Sequence, residues 1–286
     1  MDLVTRRQRW LLAVSVLVTA AVMVCLLYLF PMWLTRDSKQ EEALRNHLTT
    51  AVGAAIPVAL SFVGVAKFLL DRAKHRADKF HTAMDRLFND NADTRADAVR
   101  ALEQMMSYSP DYRARTLEAF ADLLRTRTAA LTGNGKRQQL PNDITAILTA
   151  LRRRRPRRDD PPMNLIGVRL PRAPLHALDL SSAQLADADL RYADLSAANL
   201  TGANLDHAML TGANLTGASL RGTRLTHATL VGATLTGCDL IDAALEHATM
   251  TGADLRGLNP GMTAVLTAAQ IASATNNPNP EAAEEP

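Results

Sequence analysis

The chain runs to 286 residues, 47% of them hydrophobic and only 4% aromatic, and its 32 Lys and Arg against 29 Asp and Glu leave a net charge of +3. That length accommodates several modules, while a balance so near neutrality is too small to name a partner. The two cysteines, Cys25 and Cys238, fall in different modules, so the chain has no disulfide framework.

From Trp10 to Thr35 there is no charged residue, and the run exceeds the ~20 apolar residues a spanning helix needs. Trp10, Tyr28 and Trp33 stand near its ends as interfacial anchors. A signal peptide would have a shorter apolar core and a small-residue cleavage site where Tyr28, Phe30, Pro31, Trp33 and Arg36 stand. A second uncharged stretch, Leu48 to Ala66, is softened by Gly53, Pro57 and Gly64. Residues 1–70 are therefore expected to form a two-helix membrane hairpin, with helices over 10–34 and 48–69 in contact with lipid. Basic residues at Arg6, Arg7 and Arg9 and from Lys67 to Lys79 outnumber Arg36, Lys39 and Arg45 of the short loop. That bias places both termini in the cytoplasm and the protein in the plasma membrane of a bacterium. If the second segment does not span, the soluble part faces the other side.

Residues 71–153 read as a small helical module. Phe80, Met84, Leu87 and Phe88 form one apolar stripe, Ala98, Ala101, Leu102 and Met105 a second, and Leu117, Phe120, Ala121 and Leu124 a third. Ile144, Ile147, Leu148 and Leu151 make a fourth after Pro141-Asn142-Asp143. Thr94 with Asp97 matches a capping box, and Ser109-Pro110 offers an N-cap followed by proline at the first helical position. A linker over 154–162 follows. It continues the densest charge cluster of the chain, Arg152, Arg153, Arg154, Arg155, Arg157 and Arg158, which suits anionic lipid, nonspecific contact with nucleic acid phosphates, or a solvated connector beside Asp159 and Asp160.

From Leu165 to Leu255 a large aliphatic residue stands at every fifth position, Leu in all cases but Met250, usually with a small residue two places before it. A period of five fits neither the 3.6 of a helix nor the 2.0 of a flat strand, and marks a solenoid over 163–258. Leu180, Leu185, Leu190, Leu195, Leu200, Leu205, Leu210, Leu215, Leu220, Leu225, Leu230, Leu235 and Leu240 are expected to fill its axis. Small residues such as Ala203, Ala213 and Ala233 fit the same narrow interior. Register ends at Asn259-Pro260-Gly261. Thr267 with Gln270 then predicts a short capping helix within 259–275, and 276–286 reads as a disordered tail.

The cycles Ala198-Asn199-Leu200-Thr201-Gly202 and Ala213-Asn214-Leu215-Thr216-Gly217 resemble the A(D/N)LXX consensus of pentapeptide-repeat proteins. That resemblance implies a right-handed quadrilateral β-helix, four pentapeptides to a coil. The segments from Asp93 to Met105 and from Pro141 to Leu148 further resemble the region before the repeats in membrane-anchored members of high-GC bacteria. The whole is expected to be an α+β multidomain chain: membrane hairpin, helical module, pentapeptide-repeat solenoid and short C-terminal capping helix.

No Gly-rich phosphate loop, nucleophile elbow or metalloprotease helix is present, so the chain reads as a non-enzyme without a cofactor. His207, His227 and His247 are twenty residues apart and should stack on one outer face, with Asp206 and Glu246 nearby. They are the only candidate metal ligands, but an outward ladder lacks the convergence and second shell that zinc needs, and plain stacking is the expectation. Two functional readings follow. In the first the rod is a non-catalytic interaction scaffold at the cytoplasmic face that presents its sides to a protein partner; nucleic acid is not expected, and self-association stays open. In the second the rod mimics DNA and binds a topoisomerase such as DNA gyrase. That reading draws on the likeness to acidic gyrase-protecting rods and on nine acidic residues against four arginines between His176 and Leu258.

Overall fold

The computed structural model describes residues 38–129, 140–258 and 266–274, and the chain divides after Lys79 into two compact units. The expected span over 10–34 and the polar tail over 276–286 lie outside the described residues.

The first described element, α1 (Ser38–Leu87), is one continuous helix of 50 residues. Among the described residues no helix is long and apolar enough to cross a membrane. This corrects the expected hairpin. Helix α1 already begins inside the stretch assigned to the connecting loop, it carries charged residues on both sides of the apolar run, and Gly53, Pro57, Ser61 and Gly64 thin that run. The integral-membrane placement, the cytoplasmic orientation and the lipid partner at the N-terminal helices fall with the hairpin.

In the second unit the last turns of α1 bury Phe80, Ala83 and Leu87 against α2 (Ala92–Met105), α3 (Pro110–Thr128) and α4 (Asn142–Arg153). Phe88 falls one residue past α1 and is exposed. Helix α2 starts earlier than the Thr94 pattern implies, because Asn91 accepts from the amides of Asp93 at 2.8 Å and Thr94 at 3.2 Å. At α3 the cap is Ser109, which accepts from the Asp111 amide with Pro110 beside it. Arg95 and Asp143 pair at 2.7 Å with side chains 6% and 1% exposed, and tie α2 to α4. The same guanidinium donates to the carbonyls of Asn89 and Asp90, so the loop before α2 is fixed by the ion pair as well.

The repeat region is a square-coiled β-helix. Every bridge is parallel and joins a residue to the one twenty positions on, from Asn164 with Gln184 to Thr234 with Asp254. Four five-residue steps therefore close one coil, and coils stack about 4.8 Å apart. No longer strand forms among the described residues of the rod, since two-residue turns leave only three extended residues around each bridge. At every corner the second residue after the central Leu takes positive φ, as in a type II turn, in nine glycines and ten non-glycine residues.

Backbone bonding explains the composition. In each step the central Leu and the residues one before and two after it donate to neighbouring coils, and the amide three after it closes the turn, as at Leu205, Asn204, His207 and Ala208. One amide is left over, that of the residue just after the Leu. Asp or Asn one place before the Leu accepts from it: Asp179 from Ser181 at 3.0 Å, Asn204 from Asp206 at 3.1 Å, Asn214 from Thr216 at 3.1 Å. Inward Leu side chains are buried throughout, each adding roughly 1.5–3 kcal/mol. Thr223 and Cys238 replace inward alanines and satisfy their polar atoms on the carbonyls of Leu200 and Leu215.

Both ends are closed. The first coil has no predecessor, so its edge carbonyls and amides face the helical module. Arg152 donates to the carbonyls of Pro174 and His176, Arg154 to that of Asp179, and the Arg169 amide donates to the hydroxyl of Thr128. At the other end α5 (Ala268–Ser273) is held by a reciprocal capping box of Thr267 and Gln270. The Gln270 amide nitrogen reaches the carbonyls of Leu245 and Ala248, and Ser273 accepts from Gly252. Capping of this kind keeps solenoid edges from pairing with another chain.

Candidate functional site

The twenty-residue register sorts outward residues onto four flat faces. Face 1 follows Leu165, Leu185, Leu205, Leu225 and Leu245; faces 2, 3 and 4 follow the leucines five, ten and fifteen residues later. From the third coil on, face 1 carries Asp206 paired with Arg224 and the exposed Glu246, face 3 carries Asp254 paired with Arg256, and face 4 carries Arg221 paired with Asp239. Face 2 differs. Its outward residues there are Met209, Thr211, Gly212, Thr229, Val231, Gly232, Thr249, Thr251 and Gly252, none of them charged.

Comparison with known proteins identifies this architecture. The family model for pentapeptide repeats matches residues 179–217 and 218–257. A pentapeptide repeat protein (Rfr23) from the cyanobacterium Cyanothece 51142 is 32% identical, over 42% of this chain and 69% of its own, with a TM-score of 0.30. The chain belongs to the pentapeptide-repeat family. A pentapeptide repeat protein of the Arabidopsis thaliana thylakoid lumen is 26% identical over 36% of this chain and 70% of its own, TM-score 0.30. QnrB1, a plasmid-mediated fluoroquinolone resistance protein, is 15% identical over 39% and 67%, TM-score 0.23. No curated protein matches the chain.

On the pentapeptide-repeat rod the three histidines stack as a column at the corner between faces 1 and 2. Ring centroids lie 5.0 Å apart for His207 and His227 and 4.8 Å for His227 and His247, with planes within 9° and 12° of parallel. A metal bound to imidazole sits in the ring plane, and parallel planes 5 Å apart share no such point; the described residues contain no group of ligands able to hold a metal ion.

The arginine run divides. Arg152 and Arg154 turn onto the first coil, while Arg153, Arg155, Arg157 and Arg158 are exposed. Behind them Asp160 accepts from both Arg113 and Arg154, and Arg113 also donates to the Arg155 carbonyl at 2.6 Å. Burial pushes the Asp160 carboxyl up, but the Arg113 hydrogen bond, the Arg157 amide and the two cations outweigh it and hold its pKa below the usual range. For Arg113 the Asp160 bond dominates and raises the pKa; for Arg154 desolvation dominates and lowers it.

Sequence reasoning missed the pair Arg172 and Tyr192, although twenty residues separate them and the coil register predicts their contact. The Arg172 guanidinium lies 4.6 Å from the centre of the Tyr192 ring, at the lower end of face 2. That ring in turn rests on Gly212, where a Cβ would come within 2.5 Å of it. Tyr192 is 52% exposed and is the sole Phe, Tyr or Trp of the rod.

Proposed function

We propose that this pentapeptide-repeat protein is a non-catalytic protein-interaction scaffold whose docking surface is face 2. The observation that carries the reading is the nine-residue uncharged patch of Met209 to Gly252 on one face, beside faces that all carry charge. Interface cores are depleted of charge and enriched in Tyr, Met and Arg, and this face supplies Tyr192, Met209 and Arg172 at one end. The rod interior is filled by Leu and Ala side chains, and the flat exterior offers shape and register. A photo-crosslinking residue placed at 229 in the intact protein is expected to give a discrete protein adduct in its native cells, absent with the crosslinker at 216 on face 3 or 221 on face 4. Val231→Arg should abolish that adduct. Equal labelling from all three faces, or none from 229, overturns the assignment.

The DNA-mimic reading has the acidic excess of the rod in its favour, nine acidic residues against four arginines from His176 to Leu258. Against it, each of those arginines sits on an aspartate: Arg191 on Asp189, Arg221 on Asp239, Arg224 on Asp206 and Arg256 on Asp254. Inhibition of gyrase supercoiling by a stoichiometric amount of the protein is its test.

A further inference from the structure

The upper three coils of face 2 lack more than charge. The amide that Asp or Asn satisfies elsewhere on the rod has no such acceptor there, because Met209, Thr229 and Thr249 occupy the positions before the central Leu or Met. The N–H groups of Thr211, Val231 and Thr251 accordingly have no hydrogen-bond partner among the described residues. Three successive coils of one face thus carry a row of free donors. On the other faces such amides occur singly, interrupted by Asx acceptors such as Asp206, Asn214 and Asp239.

Two coils below Thr211 on the same face, past the Arg191–Asp189 pair of the second coil, stands Arg172. Among the described residues it makes no ion pair, and its plane is already fixed on Tyr192, which leaves the guanidinium edge free for a bidentate acceptor. A stacked arginine loses little freedom when it binds, so its donors are prepared in advance. Tyr192 and Met209, 52% and 38% exposed, add apolar surface within the same patch.

Resting on the assignment of face 2 as the docking surface, we propose that it recognises an acidic segment of a partner protein, with one carboxylate on Arg172 and further carboxylates along the Thr211, Val231 and Thr251 amides. Spacing selects side chains over backbone as the acceptors. The donors rise about 4.8 Å per coil, whereas like-facing carbonyls of an extended strand recur every ~6.7 Å, so an added strand falls out of register and flexible carboxylates do not. Charge selects protein over nucleic acid. A polyanion that follows the rod meets the surplus of aspartates on the neighbouring faces, while a short acidic segment flanked by apolar residues meets the uncharged upper coils of face 2, the Arg191–Asp189 pair neutralised below them, and Arg172.

The test uses the full chain and three fluorescent probes: a peptide alternating Glu with aliphatic residues, the same peptide with Gln for Glu, and a single-stranded oligodeoxythymidine. The Glu peptide is expected to bind, and the Gln peptide to bind about ten- to a hundredfold more weakly, as suits charge-assisted hydrogen bonds. Arg172→Ala, Arg172→Lys and Val231→Glu should each weaken the Glu peptide by about tenfold or more, with Thr216→Lys on face 3 as an unchanged control and circular dichroism reporting that each variant is folded. No binding of the Glu peptide, equal binding of the Gln peptide, tighter binding of the oligonucleotide, or indifference to Arg172→Lys each overturns the inference. If the crosslink from 229 persists in those cases, face 2 remains a docking surface and only its acidic partner is lost.

Discussion

Replacing Asp160 by Asn removes the single negative charge held between Arg113 and Arg154. In the native protein its carboxylate accepts from Arg113 at 2.7 Å, from Arg154 at 3.2 Å and from the Arg157 amide at 3.0 Å. The Arg113, Arg154 and Asp160 side chains are only 8%, 6% and 10% exposed, so water cannot replace the lost charge. Removing one partner of a buried pair costs about 3–5 kcal/mol, and the acceptor oxygen that Asn retains puts Asp160→Asn near about 3 kcal/mol. With a urea slope of about 2 kcal/mol per molar, the unfolding midpoint should fall by roughly 1.5 M. The folded pKa of Asp160 is depressed, so its contribution is complete above the ordinary aspartate value of about 3.9 and disappears as pH falls through the lower folded value. Wild type should therefore lose stability on acidification in a way that the Asn variant has already lost at pH 7. Urea titrations of the whole chain at pH 7 and pH 3, followed by circular dichroism, measure both effects, with exposed Asp159→Asn as control. Equal midpoints at pH 7 for Asp160→Asn and wild type refute the clasp between α3 and the linker that follows α4.

Leu215→Lys puts an ammonium on a fully buried axis and should cost more than about 4 kcal/mol, whereas exposed Thr216→Lys should stay within about 0.5 kcal/mol; matching melting temperatures would show that the inward phase is misassigned. Gly212→Ala sets a Cβ 2.5 Å from the Tyr192 ring at φ +65°, and should destabilise by about 1–2 kcal/mol while lifting the ring from its seat; an unchanged melting temperature counts against the close packing. Burial pushes the Cys238 thiol up to about 12, so a thiol reagent at pH 8 should label it only after unfolding. Thr229→Asn supplies the missing acceptor for the Val231 amide, and should raise stability by about 0.5–1.5 kcal/mol while weakening the acidic peptide; a gain in stability with binding intact would separate the amide row from recognition.

How far the sequence disclosed this structure depends on the range over which each signal acts. The solenoid was legible because its clock is local: every Leu from 165 to 255 announces its own inward phase, and the Asx acceptor lies two residues from the amide it satisfies. Capping by Thr267 and Gln270 was legible for the same reason. The start of α2 was not, since Thr94 and Asp97 match a capping pattern while Asn91, three residues earlier, holds the amides. Within the arginine run, Arg152 and Arg154 read as free charge because their partners, the carbonyls of Pro174, His176 and Asp179, become an edge only when the first coil closes. Nor do the corners announce themselves, for Arg172, Tyr192 and the three histidines adopt positive φ that composition assigns to glycine. Hydropathy at the N-terminus pointed to a membrane hairpin, and the single long helix α1 replaces the expected loop and second span.

What separates face 2 from its neighbours is a choice made twice over at the same positions. Where Asp or Asn stands before the central Leu, as Asn214, Asp239 and Asp254 do on faces 3 and 4, the rod uses that side chain to satisfy its own leftover amide, and where Asp also meets an arginine, the charge is neutralised within the rod. Such faces have little unsatisfied chemistry left for a partner. Asn alone would have given face 2 the acceptor without charge, and a paired Asp and Arg would have given it both, yet on its upper three coils neither occurs. The cost is one hydrogen bond per coil, on the order of 1 kcal/mol each, forgone on three successive turns of an otherwise self-satisfied spiral. Because the same face also bears Tyr192 and an arginine with no carboxylate of its own, the missing acceptors and the missing charges have one economical explanation. On the reading proposed for face 2, both are supplied by the acidic segment that docks there.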